Sequence, residues 1–438
     1  MKKIQLITLT LIFLSLGAYL FAGGFALTGV GSRATSMGGA FRGLANDASA
    51  MFWNPAGLGF MDENSIDLGG TFILPSGTWD SSGTGFIGSP YGIPGYTAKE
   101  YEAEKSLRSF PNAFVTMAKH PKLKYGLGVF VPYGLGTTWD LYNEAAVGIT
   151  NADFPKDETL SSIAILDIHP SIAYQIMPTL SAGLGVSVMY GAIDIAKLSW
   201  NTNAAGDTTY YAKPKTSDMS GTGIGYGLNL GFMFKPTETI SVGLSGKIPS
   251  EIKMEGDVET FNTAYPAGYE KGKYDIETTL NLPGEIGVGV SYKVIPNMVL
   301  NLDYAYTMWD VLDEVVVDIT TPAGVMKDKL AFKWENTSRV SLGTEYLMGP
   351  NAFRAGFFMD ESPIPEETQT PTLSDINTKF SSNLGYGRNF GNITVDANMQ
   401  YILFSEREIK ATSQTTTNMA GRYNTNSLSG NIGIGYKF

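Results

Sequence analysis

The 438-residue chain has no cysteine and only two histidines, His120 and His169. Without thiols it has no disulfide framework, no Cys-ligated zinc or iron–sulfur centre, no cysteine nucleophile and no lipid-modified N-terminal cysteine. Two imidazoles leave little for a metal site, so neither a metal nor another cofactor is expected. Charge is scarce as well: Asp, Glu, Lys and Arg make up 17% of the chain, against about 25% in ordinary globular domains. The 31 Lys and Arg are outnumbered by 42 Asp and Glu, for a net charge of −11. The chain therefore lacks the positive field with which a nucleic-acid binder neutralises phosphates, and that partner class is set aside.

Long apolar runs are missing too, with one exception. Lys2 and Lys3 precede an apolar stretch from Ile4 to Ala22, the arrangement that export machinery reads as a secretory signal. The cut is placed after Ala22, with Gly24-Phe25-Ala26 as an alternative small-x-small site. An uncleaved anchor competes with this reading, because the stretch is just long enough to span a bilayer. No second run of that length follows, so further membrane insertion must use strands.

What is plentiful is glycine (51), tyrosine (23) and phenylalanine (23), a composition of strands and turns. Strict two-residue alternation recurs along the chain. Leu180, Ala182, Leu184, Val186, Val188 and Tyr190 alternate with Ser181, Gly183, Gly185 and Ser187; Ile224 to Phe234 and Leu428 to Phe438 repeat the pattern. One face reads as greasy along its whole length and the other as small and polar. The same rule gives fourteen strands, at 64–74, 109–119, 122–133, 159–177, 179–198, 217–235, 238–255, 275–293, 297–317, 332–347, 351–361, 378–389, 391–411 and 426–438. Their connections alternate between turns of a few residues, five of them holding a proline, and polar loops of about 14 to 34 residues. A soluble sandwich shares the alternation but not this rhythm. Short turns on one rim and long loops on the other describe an all-β, 14-stranded antiparallel transmembrane barrel in an outer membrane, closed so that no strand edge faces lipid. Trp200, Trp309 and Trp334 then fall near the outer strand ends, where an aromatic girdle belongs. Pro170, Pro249 and Pro283 lie inside strands and are expected to mark bulges or protruding ends.

Residues 23–63 remain outside the barrel at 64–438. They are Gly-rich from Gly29 to Ala40, helical in composition from Asp47 to Trp53, and interrupted by Asn54-Pro55. Small residues of this kind packed against an inner wall would form a plug.

The segment Asn46-Asp47-Ala48-Ser49-Ala50-Met51-Phe52-Trp53-Asn54-Pro55-Ala56-Gly57 resembles the plug signature of the FadL/TodX family, outer-membrane transporters of long-chain fatty acids and other hydrophobic compounds. Val131-Pro132-Tyr133-Gly134-Leu135, His169 to Tyr174, Leu282-Pro283-Gly284-Glu285, Trp309, Arg354-Ala355-Gly356 and Ser362-Pro363-Ile364-Pro365, with Pro371 and Asp375, resemble family segments in the same order. The resemblance implies a monomeric fourteen-stranded barrel with an N-terminal plug carrying the Asn54, Pro55, Ala56 turn. It also implies a hydrophobic ligand captured among the outer loops, passed to a pocket above the plug, and released into the lipid bilayer through a gap at a kinked third strand. The matching strand, Lys122 to Tyr133, holds Gly126 and Gly128 as candidate gate residues; the alternative is that these glycines only make room for lumen side chains. The terminal Phe438 resembles the signal read by the barrel assembly machinery.

Arg339 and Arg354 fall on the inward phase of strands 10 and 11. They are candidates for binding a ligand carboxylate through a charge-assisted bond; the alternative is pairing with lumen carboxylates such as Glu345, Asp303 or Asp396. His169 reads as a rim histidine, because no Gly-x-Ser-x-Gly elbow or second active-site histidine supports a hydrolase. No enzymatic activity is expected. An open, non-specific porin or a structural outer-membrane protein is the competing reading, and an occupied lumen would separate the porin from the transporter.

Overall fold

The computed structural model describes residues 24–81, 99–141, 159–200, 214–262, 270–413 and 419–438. The proposed signal segment lies outside them, as do the tips of several long loops and the side chain of Trp200. Fourteen barrel strands run antiparallel in sequence order: β1 (Ser65–Asp80), β2 (Arg108–Met117), β3 (Leu123–Trp139), β4 (Thr159–Met177), β5 (Leu180–Trp200), β6 (Pro214–Phe234), β7 (Ile240–Lys247, resumed at Ser250–Asn262), β8 (Glu270–Leu282, resumed at Gly284–Ile295), β9 (Met298–Met308), β10 (Thr337–Met348), β11 (Asn351–Asp360), β12 (Lys379–Asn389), β13 (Ile393–Phe404) and β14 (Gly421–Lys437). A hairpin of Glu314–Thr321 and Gly324–Ala331 extends outward beyond β9. The barrel closes where β1 pairs with β14, from Ser65 opposite Lys437 to Asp80 opposite Arg422. This seam joins the first strand to the last, so the sheet closes on itself. No helix among the described residues is long and apolar enough to cross a membrane.

The alternation sorts side chains as expected over the periplasmic part of the wall. Leu68, Tyr226, Phe232 and Ile432 face outward and are exposed, whereas Ser181, Asn229, Asn301 and Asn431 face the lumen and are buried. Above this level the sorting inverts on two strands, so the apolar face does not stay outside along its whole length. Below Pro249, Leu244 points out and Ser245 in; above it, Ile252, Met254 and Val258 are buried inside while Glu251, Lys253, Glu255 and Glu259 are exposed. Pro283 repeats the change: Leu280 and Leu282 point inward before it, Ile286 and Val288 outward after it.

The cause is a one-residue slip. Between β6 and β7 the pairing moves from Asn229 opposite Lys247 to Tyr226 opposite Glu251, and a slip of one residue exchanges the two faces. The two prolines sit side by side, since a Cβ on Gly284 would lie 2.6 Å from Pro249 Cδ. Outward charges on the outer segments, Glu251, Lys253, Glu255 and Glu259 of β7 and Lys273, Asp275 and Glu277 of β8, are incompatible with hydrocarbon, which places the outer boundary of the apolar belt at these prolines. Pro170 behaves differently: it stays within β4 opposite Leu127, and only the ladder toward β5 skips His169 and Pro170 without changing register.

Residues 24–61 lie against the inward face of the wall. Helix α1 (Ser32–Ser36) packs on β11 to β13, and the 3-10 turn Pro55–Phe60, which follows α2 (Ala50–Trp53), packs on β4 to β6. Met37, Phe41, Met51 and Leu58 are fully buried there with Phe114, Phe130 and Met233 of the wall. Each such side chain contributes roughly 1.5 to 3 kcal/mol by leaving water. Wall glycines make the close approach possible: a Cβ on Gly356 would lie 2.1 Å from the Met37 backbone carbon.

Candidate functional site

The plug is held by side chains that cross to the wall. Asn54 Nδ2 donates to the carbonyls of Arg42 (3.0 Å) and Phe232 (3.1 Å), and its Oδ1 accepts from Ala56 N–H. Pro55 and Ala56 rest on Gly183, where a Cβ would come within 2.4 Å of both. Asn54, Pro55 and Ala56 thus form a wedge seated on strands that carry glycine where the wedge touches.

Two ion-pair groups reinforce it. Arg42, on the plug, pairs with Glu285 (2.5 Å), and Asp303 accepts the backbone N–H groups of Phe41 and Arg42. Glu345 on β10 accepts from plug Arg33 through both oxygens at 2.8 Å and from wall Arg354 at 2.6 Å; Arg354 also pairs with Asp396. The two candidate arginines therefore part company. Arg354 is locked between carboxylates. Arg339 Nη2 donates to the backbone carbonyls of Thr28 and Gly38, Nε donates to Ser341 Oγ, and the guanidinium lies 4.0 Å over the Phe358 ring. Among the described residues no carboxylate approaches Arg339 within ion-pair distance.

Above the plug the lumen is apolar. Ile163, Ile165, Met189, Ile252, Met254, Leu280 and Val317 form one buried cluster with Trp309, Trp334 and Phe25. Trp309 and Trp334, expected in an outer girdle, instead line this cluster, with ring centres 5.1 Å apart. Trp309 opens a 3-10 turn on the inward parity of β9 and is 1% exposed. Phe25 stacks edge-on against Trp309 at 5.0 Å and against Tyr133 at 5.6 Å.

The third strand carries the irregularity. β3 pairs with β2 only from Tyr125 opposite Met117 to Val129 opposite Ala113, and its register with β4 shifts between Phe130 and Tyr133, around Pro132. Beyond Val129 the edge that β2 has left is taken by the N-terminal arm: Leu27 N–H donates to Pro132 O, and Gly134 N–H to Phe25 O, each at 3.0 Å. Gly126 and Gly128 lie below this point, inside the regular pairing with β2. Gly126 faces the plug, where a Cβ would lie 2.4 Å from Met51 Cε.

Two small connected cavities meet at this place. One, about 60 Å³, is lined by Leu27, Arg42, Trp53, Glu285, Trp309, Arg339 and Asp360; the other, about 40 Å³, by Phe130, Asp167, His169, Ser187, Met189 and Asn229. Phe52, Pro132, Tyr133, Lys247 and Pro283 border both. His169, expected on a rim, is 2% exposed inside the barrel. Its position on the inward parity of β4, opposite to outward Ile168 and Ile172, was the available sequence signal. No cluster of potential metal ligands occurs among the described residues.

Comparison with known proteins agrees with this architecture. The model of the outer membrane protein transport family (OMPP1/FadL/TodX) matches residues 13–438. The long-chain fatty acid transport protein of Escherichia coli K12 is 23% identical over 384 residues, covering 80% of each chain. Outer membrane protein P1 of Haemophilus influenzae is 23% identical over 392 residues, covering 80% of this chain and 82% of that relative. Among solved structures, a Pseudomonas aeruginosa FadL homologue superposes with a TM-score of 0.78 at 16% identity, covering 95% of this chain and all of the other. The Pseudomonas putida toluene transporter TodX gives 0.74 at 17% identity, covering 94% of this chain and 99% of the other. A family match along nearly the whole chain joins the fourteen-strand closure, the seated Asn-Pro-Ala wedge and the broken third strand, and the chain belongs to the OMPP1/FadL/TodX family of outer membrane transport proteins.

Proposed function

We propose that the protein takes up hydrophobic molecules, long-chain fatty acids or aromatic hydrocarbons, across the outer membrane, capturing them in the apolar outer lumen and releasing them sideways where β2 and β3 separate. The observation that carries this reading is the buried apolar cluster above the plug, to which β4 and β5 contribute Ile163, Ile165 and Met189 and the inverted β7 and β8 contribute Ile252, Met254 and Leu280, in place of the polar side chains of an aqueous pore. Each CH₂ that enters such a lining gains roughly 0.8 kcal/mol. The filled periplasmic half argues against an open porin.

The cavities are too small for a long chain, so the occupant must displace something. The arm Phe25–Leu27 is held on β3 by two backbone hydrogen bonds and by the contacts of Phe25 with Tyr133, Trp309 and Trp334. Its departure would join the greasy lumen to the unpaired edge of β3, with Gly126 and Gly128 allowing that strand to flex. Arg339, bordering the larger cavity without a carboxylate partner, would hold an acid headgroup; Arg354 serves the plug.

Uptake of a radiolabelled fatty acid and of labelled toluene tests the reading. Ile165→Asp should abolish uptake of both while leaving a heat-resistant barrel. Arg339→Gln should weaken binding of a fatty acid about tenfold and its matching alcohol by less than twofold, the loss of one charge-assisted bond. Undiminished uptake by Ile165→Asp would overturn the proposal, and equal losses for acid and alcohol would remove Arg339 from headgroup binding.

A further inference from the structure

The smaller cavity has a polar wall that the greasy route does not require. Asp167, His169 and Ser187 form a closed triangle: Ser187 Oγ donates to Asp167 Oδ2 at 2.8 Å, and His169 Nδ1 lies 3.2 Å from that oxygen and 3.0 Å from Ser187 Oγ. A carboxylate oxygen can only accept, so in the neutral imidazole Nδ1 carries the proton and Nε2 is left as an acceptor. Asn229 spends both amide hydrogens on the carbonyls of Met51 and Phe52, which leaves its Oδ1. Three atoms then have no hydrogen-bond partner although their residues are at most 4% exposed: His169 Nε2, Asp167 Oδ1 and Asn229 Oδ1. All three are acceptors.

An unpartnered buried acceptor costs about as much as a lost hydrogen bond, and the fold makes room for one of them. A Cβ on Gly185 would stand 2.1 Å from His169 Nε2. Neighbouring inward positions of the same strands carry Ile165 and Met189, so an apolar wall is available to this barrel and is not used here. The wall facing the acceptors is apolar, from Phe52, Phe130 and Met189. Lys247, the lysine in this lining, lies 3.9 Å over the Phe52 ring and 3.7 Å from Glu285.

We infer that this cavity is a subsite for a neutral hydrogen-bond donor, the hydroxyl of a phenol or long-chain alcohol whose apolar body lies against Phe52, Phe130 and Met189. A carboxylate brings no donor to these acceptors. The inference rests on the reading of the protein as a carrier of hydrophobic molecules and narrows its cargo to include hydroxylated ones, read at a place distinct from Arg339.

Titration of the purified full chain in detergent, followed by intrinsic tryptophan fluorescence, with 4-hexylphenol and hexylbenzene as probes, decides the matter. The wild type should bind the phenol about tenfold more tightly than the hydrocarbon. In Asp167→Leu combined with His169→Phe that ratio should fall below twofold. Should the double variant fail to give a heat-modifiable barrel on a gel, Asp167→Asn keeps the shape and should cut the ratio at least threefold. Equal binding of both probes by the wild type overturns the subsite and leaves the wider transport reading standing. A phenol preference that survives the substitutions also overturns it. Failure of the wild type to bind either probe overturns both readings.

Discussion

The two halves of the lumen are built from the same strands and do opposite things. In the periplasmic half the inward side chains are Asn, Ser, Gly and a set of paired charges, and they grip another part of the chain. In the outer half Ile163, Ile165, Ile252, Met254, Leu280 and Val317 face one another. The difference shows that a barrel need not choose one lumen chemistry. A one-residue slip at two adjacent prolines turns the apolar side of β7 and β8 from lipid to lumen at the height where the bilayer ends.

The sharpest way to break the contrast is to remove a charge from the gripping half. Glu345→Ala leaves the guanidinium groups of Arg33 and Arg354 without the carboxylate they share, and uncompensated buried charge costs about 3 to 5 kcal/mol. The temperature at which the barrel loses its compact form on a gel should drop, and an unchanged transition would show that Asp47 and Asp396 suffice. A smaller loss is expected from Asn54→Ala with Pro55→Ala. Three hydrogen bonds at the wedge, each worth about 0.5 to 1.5 kcal/mol, disappear, but the strands around it do not depend on them. The barrel should stay heat-resistant while uptake of labelled substrate falls; normal uptake would reduce the turn to a spacer.

The smallest effect concerns the outer end, in the segment between β11 and β12. Burial pushes the Asp375 carboxyl up to about 7, against the pull of Lys379, and that of Glu361 up to about 8, against the Ser338 N–H. Both folded values lie above the usual carboxylate range of about 4. The folded segment therefore holds protons that the unfolded chain releases. Its anchorage is complete below about pH 4 and is lost as pH rises through 7 to 8. Amide hydrogen exchange across 361–378, corrected for intrinsic rates, should show weaker protection at pH 9 than at pH 5. Equal protection at both values would refute the assignment.

The strand count was legible because lipid enforces a two-residue period on any strand that crosses it, and residues such as Leu228, Leu230 and Phe232 announce that period directly. The inversion was not. Apolar residues keep even numbers through both prolines, Val242 and Leu244 into Ile252 and Met254, Leu280 and Leu282 into Ile286 and Val288, so the sequence reads as one unbroken face. Alternation reports which side is greasy, not which side meets lipid; the run Glu251, Lys253, Glu255, Asp257, Glu259 on the opposite parity was the clue. The inward placement of Trp309 and His169 was readable from parity but was overridden by habits of composition, tryptophan at interfaces and histidine at rims. The arm lying on β3 left no local trace, because an edge freed by a bulge in one segment is filled by a segment more than a hundred residues away.

The seam between β1 and β14 has a consequence for how the molecule is made. Lys437 and Glu63, 374 residues apart in sequence, meet in an ion pair at its periplasmic end. All other neighbouring strands are joined by a single connection, whereas this pairing brings together the two ends of the barrel. Its loop-closure cost is the largest in the chain. The plug is threaded just before β1, so the same event that shuts the wall also imprisons it. A plug out of place when the seam is shut would have to be sorted out from inside a finished cylinder.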